Sequence, residues 1–167
     1  MYLCKNIKVE DQTLILQIWD TAGQEKYKAI APVYLRDSDI VIFVCDLARK
    51  DTYFGLNDWV SMAKNYSDQT ASWMFLGNKS DQPTEQWEMS EKNLSDLATK
   101  HNERTSGAYF LTSGKTYQGI LELTAALGKI AHKKLRDRAK GEGSGLSTRL
   151  RKKMGMKDTK DKKSKCC

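Results

Sequence analysis

Apolar and polar residues alternate along the first twenty positions of the chain, with a single break. The alternation covers Tyr2–Glu10 and Thr13–Asp20, and a period of two residues is typical of β-strands. Asp11 and Gln12, which stand between the two runs, predict a tight turn. The chain is therefore predicted to open with an antiparallel β-hairpin.

Buried strands alternate with helices after the hairpin. Asp39–Asp46 and Ser72–Asn78 are almost continuously apolar, which is typical of strands buried on both faces, and a shorter strand begins at Gly107. Apolar residues at helical spacing predict helices over Phe54–Tyr66 and Gln118–Arg138. This alternation predicts an α/β fold, a mainly parallel sheet covered by helices, with ligand chemistry at the carboxyl ends of the strands.

Particular side chains are predicted to begin these helices and to face the core. Asp51 or Thr52 is the predicted N-cap of the helix over Phe54–Tyr66, and Ser90 opens another helix. The predicted core positions of these two helices are Phe54, Trp59, Val60, Ala63, Leu94, Leu97 and Ala98.

Charge divides the 167 residues into two parts. Residues 133–167 hold 14 basic and 4 acidic side chains, whereas residues 1–132 hold 14 basic and 17 acidic ones. Glycines after Ala139 break the last predicted helix, and a Lys/Arg-rich run follows them. We therefore predict one globular domain over residues 1–138 and a disordered basic tail over residues 139–167.

The cysteines and the hydropathy of the chain predict a cytosolic protein. Cys4 and Cys45 lie in apolar, strand-like contexts and are predicted to be reduced core thiols. Cys166 and Cys167 are adjacent and too constrained to imply a disulfide framework. The sequence has neither a signal-peptide h-region at its start nor an apolar run long enough to span a bilayer.

The turn after the second hairpin strand has the residues of a phosphoryl-transfer site. Asp20 stands where a metal ligand projects from a strand end, Gly23 allows a close approach to a phosphate, and Gln24 can orient a water molecule. His101 and His132, in contrast, have no second His or Cys at metal-ligand spacing and are predicted to be surface helix residues.

A second polar motif follows the strand Ser72–Asn78. It consists of Asn78, Lys79, Ser80 and Asp81. A carboxylate at this position can accept both hydrogen bonds from the N1 and N2 edge of guanine, a pattern that adenine does not offer. Its occurrence after D-T-A-G-Q, across one helix and two strands, favours a guanine site over an ordinary polar turn.

These motifs resemble those of the small GTPases of the Ras superfamily. D-T-A-G-Q begins at Asp20, and N-K-S-D begins at Asn78; Trp19 and the triplet E-K-Y at 25–27 are most similar to the Rab branch. T-S-G-K, which begins at Thr112, resembles the family's last guanine-contacting loop, usually S-A-K, with Gly114 in place of alanine. The distance along the chain between the last two motifs is several residues longer than usual, and an insertion around residues 101–106 explains it.

The resemblance implies roles for individual residues. Asp20 binds Mg²⁺ through water, the Gly23 amide bonds the γ-phosphate, and Gln24 is the catalytic residue that aligns the attacking water. The other implied nucleotide-binding residues are Thr21, Ala22, Asn78, Lys79, Asp81, Ser113, Gly114 and Lys115. The implied ligands are GTP or GDP with Mg²⁺.

The end of the chain is similar to the Rab pattern in which two terminal cysteines, here Cys166 and Cys167, receive geranylgeranyl groups. Two lipid chains give stable anchoring, and basic residues near an anionic leaflet add about 1 kcal/mol each. The alternative, a basic tail that binds nucleic acid or a nuclear localisation run, is disfavoured because no aromatic residue lies between Ala139 and Cys167.

One family element is absent from the sequence, which contains no G-x-x-x-x-G-K-[ST]. The first switch and the central strand, expected between Thr13–Asp20 and Asp39–Asp46, are also absent. Three accounts compete: a sequence truncated upstream, a degenerate paralogue that does not hydrolyse GTP, or a partial chain completed by a partner. The first is favoured, because losing a buried central strand leaves its neighbours' backbone groups unpaired.

The function implied by the resemblance is a Rab-like switch between GTP and GDP in vesicle traffic. It places the chain on the cytoplasmic face of an intracellular membrane, endosomal by the similarity of Tyr27, Ala31–Tyr34 and Arg36, with escort, extraction, exchange and effector proteins as partners. Without the phosphate loop the chain as written is expected to be inactive as an enzyme. The alternative is a prenylated, non-hydrolysing pseudo-GTPase that competes for the same partners.

Overall fold

The structure, a computed structural model, describes residues 2–21, 29–105 and 108–141. The chain divides into two compact units, residues 1–134 and 135–167. The elements are β1 (Tyr2–Val9), β2 (Gln12–Trp19), α1 (Ala31–Leu35), β3 (Ile40–Asp46), α2 (Lys50–Tyr66), β4 (Ser72–Asn78), a 3₁₀ turn (Thr84–Gln86), α3 (Glu91–Lys100), α4 (Asn102–Thr105), β5 (Tyr109–Thr112) and α5 (Ile120–Gly141). Within the described ranges no helix is both long and apolar enough to cross a bilayer.

A three-stranded parallel sheet forms the centre of the first unit, in the order β3-β4-β5. The predicted α/β fold with a mainly parallel sheet is confirmed. Asp46 is the register partner of Asn78, and Asn78 is the register partner of Thr112. The carboxyl ends of all three strands therefore lie side by side, so the loops that follow them share one edge of the sheet.

Helices cover both faces of β4, whose five inner residues are all buried. Trp73 and Phe75 pack in a cluster with residues of α2 and α3, and Phe43 of β3 stacks on Phe75 with 4.9 Å between ring centroids. On the other face Met74 and Leu76 pack against α5. The core therefore consists of two apolar layers, one on each side of β4.

Burial along β3 differs from the prediction that this strand is covered on both faces. Val41, Phe43 and Cys45 are buried, but Ile42 is 37% and Val44 is 51% exposed. Its side chains alternate because α2 covers one face of the strand. Among the described strands, β3 pairs only with β4 and lies at the edge of the sheet. The continuous apolar sequence of β3 therefore includes residues whose side chains lie outside the core.

The opening hairpin is confirmed, but it forms a separate two-stranded sheet. Val9 pairs with Gln12, so the turn residues are Glu10 and Asp11, one position earlier than predicted, and Glu10 takes φ 53°. Cys4 is exposed, which contradicts its assignment to the core. It lies on the exposed part of β1, whose only buried residue, Ile7, lies against Gly128 of α5.

Helix α5 holds the hairpin through a close approach at Gly128. A Cβ built on Gly128 comes within 2.7 Å of Val9 Cγ2, so the helix and the hairpin meet at a position where only hydrogen fits. One turn later His132 is buried, and its Nδ1 lies 3.7 Å from a carboxylate oxygen of Glu10. The prediction that His132 lies on the surface is therefore wrong, because the hairpin covers this face of α5.

The helices confirm some of the predicted side-chain positions and correct others. Ser90 caps α3 in a reciprocal capping box with Asn93, and Leu94, Leu97 and Ala98 are buried as predicted. Helix α2 begins four residues earlier than predicted, after Arg49, which places Asp51 and Thr52 within its first turn. Its Phe54 is exposed, and the buried residues of α2 are Leu56, Val60 and Ala63.

One-sided burial of β3 predicts opposite outcomes for neighbouring substitutions. We expect Phe43→Ala to destabilise the domain by about 3–5 kcal/mol, because it removes a ring stacked on Phe75 and leaves a cavity. Val44→Ala removes atoms that are half exposed and is expected to cost less than about 1 kcal/mol. Urea unfolding followed by tryptophan fluorescence measures both. Similar losses in the two variants would show that β3 is buried on both faces.

Candidate functional site

The aligned ends of β4 and β5 bring two of the predicted motifs together. The backbone N–H of Ser80 donates to the carbonyl of Thr112 at 3.0 Å. The Thr112 hydroxyl donates a longer hydrogen bond, 3.4 Å, to the side-chain oxygen of Asn78. The N-K-S-D loop and the T-S-G-K loop are therefore neighbours, although 31 positions separate Asp81 from Thr112 along the chain.

Asp81 is held in place by Ser113, which is fully buried. The Ser113 hydroxyl donates to Oδ1 of Asp81 at 2.6 Å. This bond is the main reason that the pKa of the Asp81 carboxyl lies below its ordinary value, with the charges of Lys115 and Lys79 contributing less. The carboxylate is thus ionised at neutral pH, when its two oxygens act only as acceptors and offer about four lone-pair sites, more than the Ser113 bond uses.

The loop around Ser113 is fixed by its own backbone. The Ser113 oxygen accepts hydrogen bonds from the N–H groups of Lys115 and Thr116, each at 3.1 Å, and the Ser113 N–H donates to the carbonyl of Gln118. A serine hydroxyl can donate once and accept twice, so all of its capacity is used here. This saturation aims the single O–H at Asp81.

Lys79 makes an ion pair that the sequence did not suggest. Its Nζ lies 2.6 Å from Oδ2 of Asp46, at the end of the neighbouring strand. Lys79 itself adopts φ 63°, a conformation rare for residues other than glycine. The signal in the sequence was a polar residue ending a buried strand, but only the β3–β4 register brings Asp46 beside the motif.

The predicted phosphate and metal residues are described only in part. Asp20 and Thr21 follow β2 and are exposed, whereas Ala22, Gly23 and Gln24 lie outside the described residues, as do the terminal cysteines. No group of three His, Cys, Asp or Glu side chains that could hold a metal occurs among the described residues. Of the residues predicted to contact Mg²⁺ or phosphate, the structure therefore describes only Asp20 and Thr21, and no step through the metal is derived from them.

Three aromatic side chains form an exposed cluster that the sequence analysis did not predict. Tyr2 and Trp19 are register partners on β1 and β2, with ring centroids 4.5 Å apart, and the Trp19 centroid lies 5.3 Å from that of Tyr34 on α1. Tyr2 and Trp19 are each about half exposed, and Val33 beside Tyr34 is 68% exposed. Exposed apolar groups of this kind are typical of protein interaction sites.

Two other candidate reactive groups are structural. Burial raises the pKa of the Cys45 thiol to about 11, with a smaller contribution from Asp46, so the buried cysteine stays protonated and confirms its prediction as a core thiol. His101, predicted to lie on the surface, is partly buried beside the rings of Trp73 and Phe75. Desolvation lowers its pKa, which favours a neutral imidazole in a packing role.

A comparison with known proteins identifies the family of this chain. The model of the Ras family matches residues 2–133. This range includes the hairpin, the parallel sheet and both guanine-side motifs. The chain belongs to the Ras family.

Its relatives include several Rab proteins. The Ras-related protein Rab-2B of Dictyostelium discoideum is 34% identical over 118 residues, which are 71% of this chain and 56% of the relative. The Ras-related protein Rab-21 of Homo sapiens is 32% identical over 145 residues, 86% of this chain and 62% of the relative. A putative ras-related protein Rab-5B of Dictyostelium discoideum is 32% identical over 124 residues, 73% of this chain and 55% of the relative. The match thus covers little more than half the length of these relatives, and they place the chain in the Rab branch.

Two glycines near Ser113 predict opposite responses to a methyl group. A Cβ on Gly114 meets nothing within 4 Å, so Gly114→Ala, which restores the family's usual S-A-K, is expected to change stability by less than about 1 kcal/mol. Gly119 has φ +71°, and a Cβ there lies 2.0 Å from the Leu111 carbonyl oxygen. Gly119→Ala is expected to cost more than about 2 kcal/mol and to weaken the Ser113–Gln118 bond. Thermal unfolding and amide exchange at Ser113 measure this difference; equal stability of the two variants would contradict the loop geometry.

Proposed function

We propose that this chain is a Rab-like, guanine-specific protein that acts in vesicle traffic. The observation that carries the proposal is the carboxylate of Asp81, ionised, oriented by buried Ser113, and placed at the shared edge of the parallel strands. A fixed carboxylate accepts from both N–H groups of the guanine edge. Adenine has no such pair of donors in that arrangement, so the site selects guanine.

We assign residues 1–138 to the domain that carries this site. Asn78 and Lys79 begin the base-reading loop, and the loop that contains Ser113 lies at the same edge of the sheet, since Asn78 is the register partner of Thr112. Hydrolysis of GTP further requires Gln24 and a phosphate-binding loop of the G-x-x-x-x-G-K-[ST] type. The proposed GTP/GDP cycle, with Mg²⁺, belongs to a chain that has such a loop.

The exposed aromatic cluster supports a second part of the proposal. Tyr2, Trp19 and Tyr34 offer large, rigid apolar surface on the hairpin and α1. Aromatic residues of this kind are enriched among the residues that dominate binding energy at interfaces. We assign this surface to effectors and regulators of Rab proteins. It also favours the alternative function, a prenylated protein that competes for Rab partners without hydrolysing GTP.

The tail at residues 139–167 is proposed to hold the protein on the cytoplasmic face of an endosomal or other vesicular membrane. Lipid chains on Cys166 and Cys167 supply the apolar term, and the basic residues supply attraction to anionic lipids. These two signals act together, since a single lipid chain alone gives only marginal binding.

Nucleotide titration tests the guanine site. We expect the 167-residue chain to bind GDP weakly, because charge-assisted bonds to phosphate contribute about 1.5–3 kcal/mol each, and the loss of two weakens binding more than about a hundredfold. GDP should still bind more tightly than ADP. Calorimetry with GDP-Mg²⁺ and NMR titration measure this, and phosphate release from GTP should not exceed background.

Matched variants separate base recognition from general charge. Asp81→Asn should abolish the preference for GDP over ADP, whereas Asp96→Asn, on the exposed side of α3, should leave it unchanged. A dissociation constant in the nanomolar range would contradict the expected weak binding. Equal affinity of the parent for GDP and ADP would contradict the guanine-specific function and favour the non-hydrolysing interaction protein.

Membrane flotation tests the anchor. The double variant Cys166→Ser/Cys167→Ser is expected to move from the membrane fraction of expressing cells to the cytosolic fraction, because both lipid attachment points are lost. Cys4→Ser is the matched control, since Cys4 is an exposed thiol on β1. Flotation of the double variant equal to that of the parent would show that the terminal cysteines do not anchor the protein.

A further inference from the structure

Asp46, the last residue of β3, is held by hydrogen bonds to both its backbone and its side chain. Its Oδ1 accepts a hydrogen bond from the Ala48 N–H at 3.0 Å, and its own N–H donates to the Thr52 hydroxyl at 2.9 Å. The Asp46 side chain is only 12% exposed. The carboxylate is therefore a fixed negative charge whose second oxygen faces Lys79.

Lys79, in contrast, depends on outside contacts to keep its conformation. Lys79 adopts φ 63°, and a non-glycine residue keeps this unfavourable conformation only where its surroundings hold it. Its carbonyl accepts from the Gln82 N–H at 3.1 Å, so the conformation of Lys79 sets the turn that contains Asp81. The 2.6 Å ion pair to Asp46 is a side-chain contact that opposes this strain.

We propose that Asp46 is a positioning residue for guanine recognition, acting through the ammonium group of Lys79. Ser113 holds the Asp81 carboxylate from the β5 side, and the Asp46–Lys79 pair holds the backbone of the same turn from the β3 side. Two supports on opposite sides restrict the carboxylate before the base arrives, which reduces the ordering cost of binding. This inference rests on the proposed function, because it assigns a further residue to the guanine site.

A double-mutant cycle on the full chain tests the proposal. Asp46→Asn keeps the acceptor for Ala48 and removes the charge that faces Lys79, and Lys79→Met keeps the alkyl stem and removes the ammonium. GDP affinity, measured by NMR titration, should fall about threefold to tenfold in Asp46→Asn, the effect of a partly buried ion pair. In the Lys79→Met background Asp46→Asn should have no further effect. Asp51→Asn is the control, since Asp51 forms an exposed ion pair of equal length with Arg49.

Amide hydrogen exchange supplies a readout without nucleotide. The Ser80 and Gln82 N–H groups, both bonded within the site, should exchange faster in Asp46→Asn, while the amides at the centre of β4 stay unchanged. Unchanged GDP affinity in Asp46→Asn, or an equal loss with and without the Lys79 ammonium, would overturn the proposal. If the parent binds no GDP, the guanine function fails, and the exchange decides alone: unaltered Ser80 and Gln82 exchange overturns the ordering role, and faster exchange supports it.

Discussion

The position of β4 between two parallel partners is the constraint on which the rest of the structure depends. Its backbone is paired on both edges, and its side chains are buried on both faces, with Trp73 and Phe75 on one side and Met74 and Leu76 on the other. Parallel pairing in this register aligns the ends of three strands. The guanine-side motifs meet at that edge because Asn78 is the last residue of the central strand.

Side chains of α5 connect the two sheets of the first unit. The helix packs on β4 through Leu123 and its neighbours, and it meets the hairpin where Gly128 removes the Cβ that would strike Val9. Among the described strands, β2 and β3 belong to different sheets and are not paired with each other. The Ile42 and Val44 side chains of β3 are exposed. The hairpin is thus held mainly by helix contacts rather than by a continuous hydrogen-bonded sheet.

The loops at the strand ends and the exposed aromatic cluster differ in the kind of surface they present. At the strand ends, a hydrogen bond fixes Asp81 and an ion pair fixes Lys79. On the hairpin and α1, tilted aromatic rings in close contact present apolar surface. The strand ends thus offer rigid acceptors in fixed positions, whereas the hairpin and α1 offer aromatic area whose desolvation would favour association.

Local patterns in the sequence were sufficient to predict the hairpin, the apolar β4 and the cap at Ser90. These features depend on neighbouring residues, through period-two alternation, a continuous apolar run and a reciprocal cap. Tertiary structure alone decided that β3 is buried on one face, that His132 is covered, and that Asp46 faces Lys79. Each of these outcomes depends on which distant segment packs there, since burial and ion pairing are set by neighbours in space, which hydrophobic periodicity along one strand or helix does not specify.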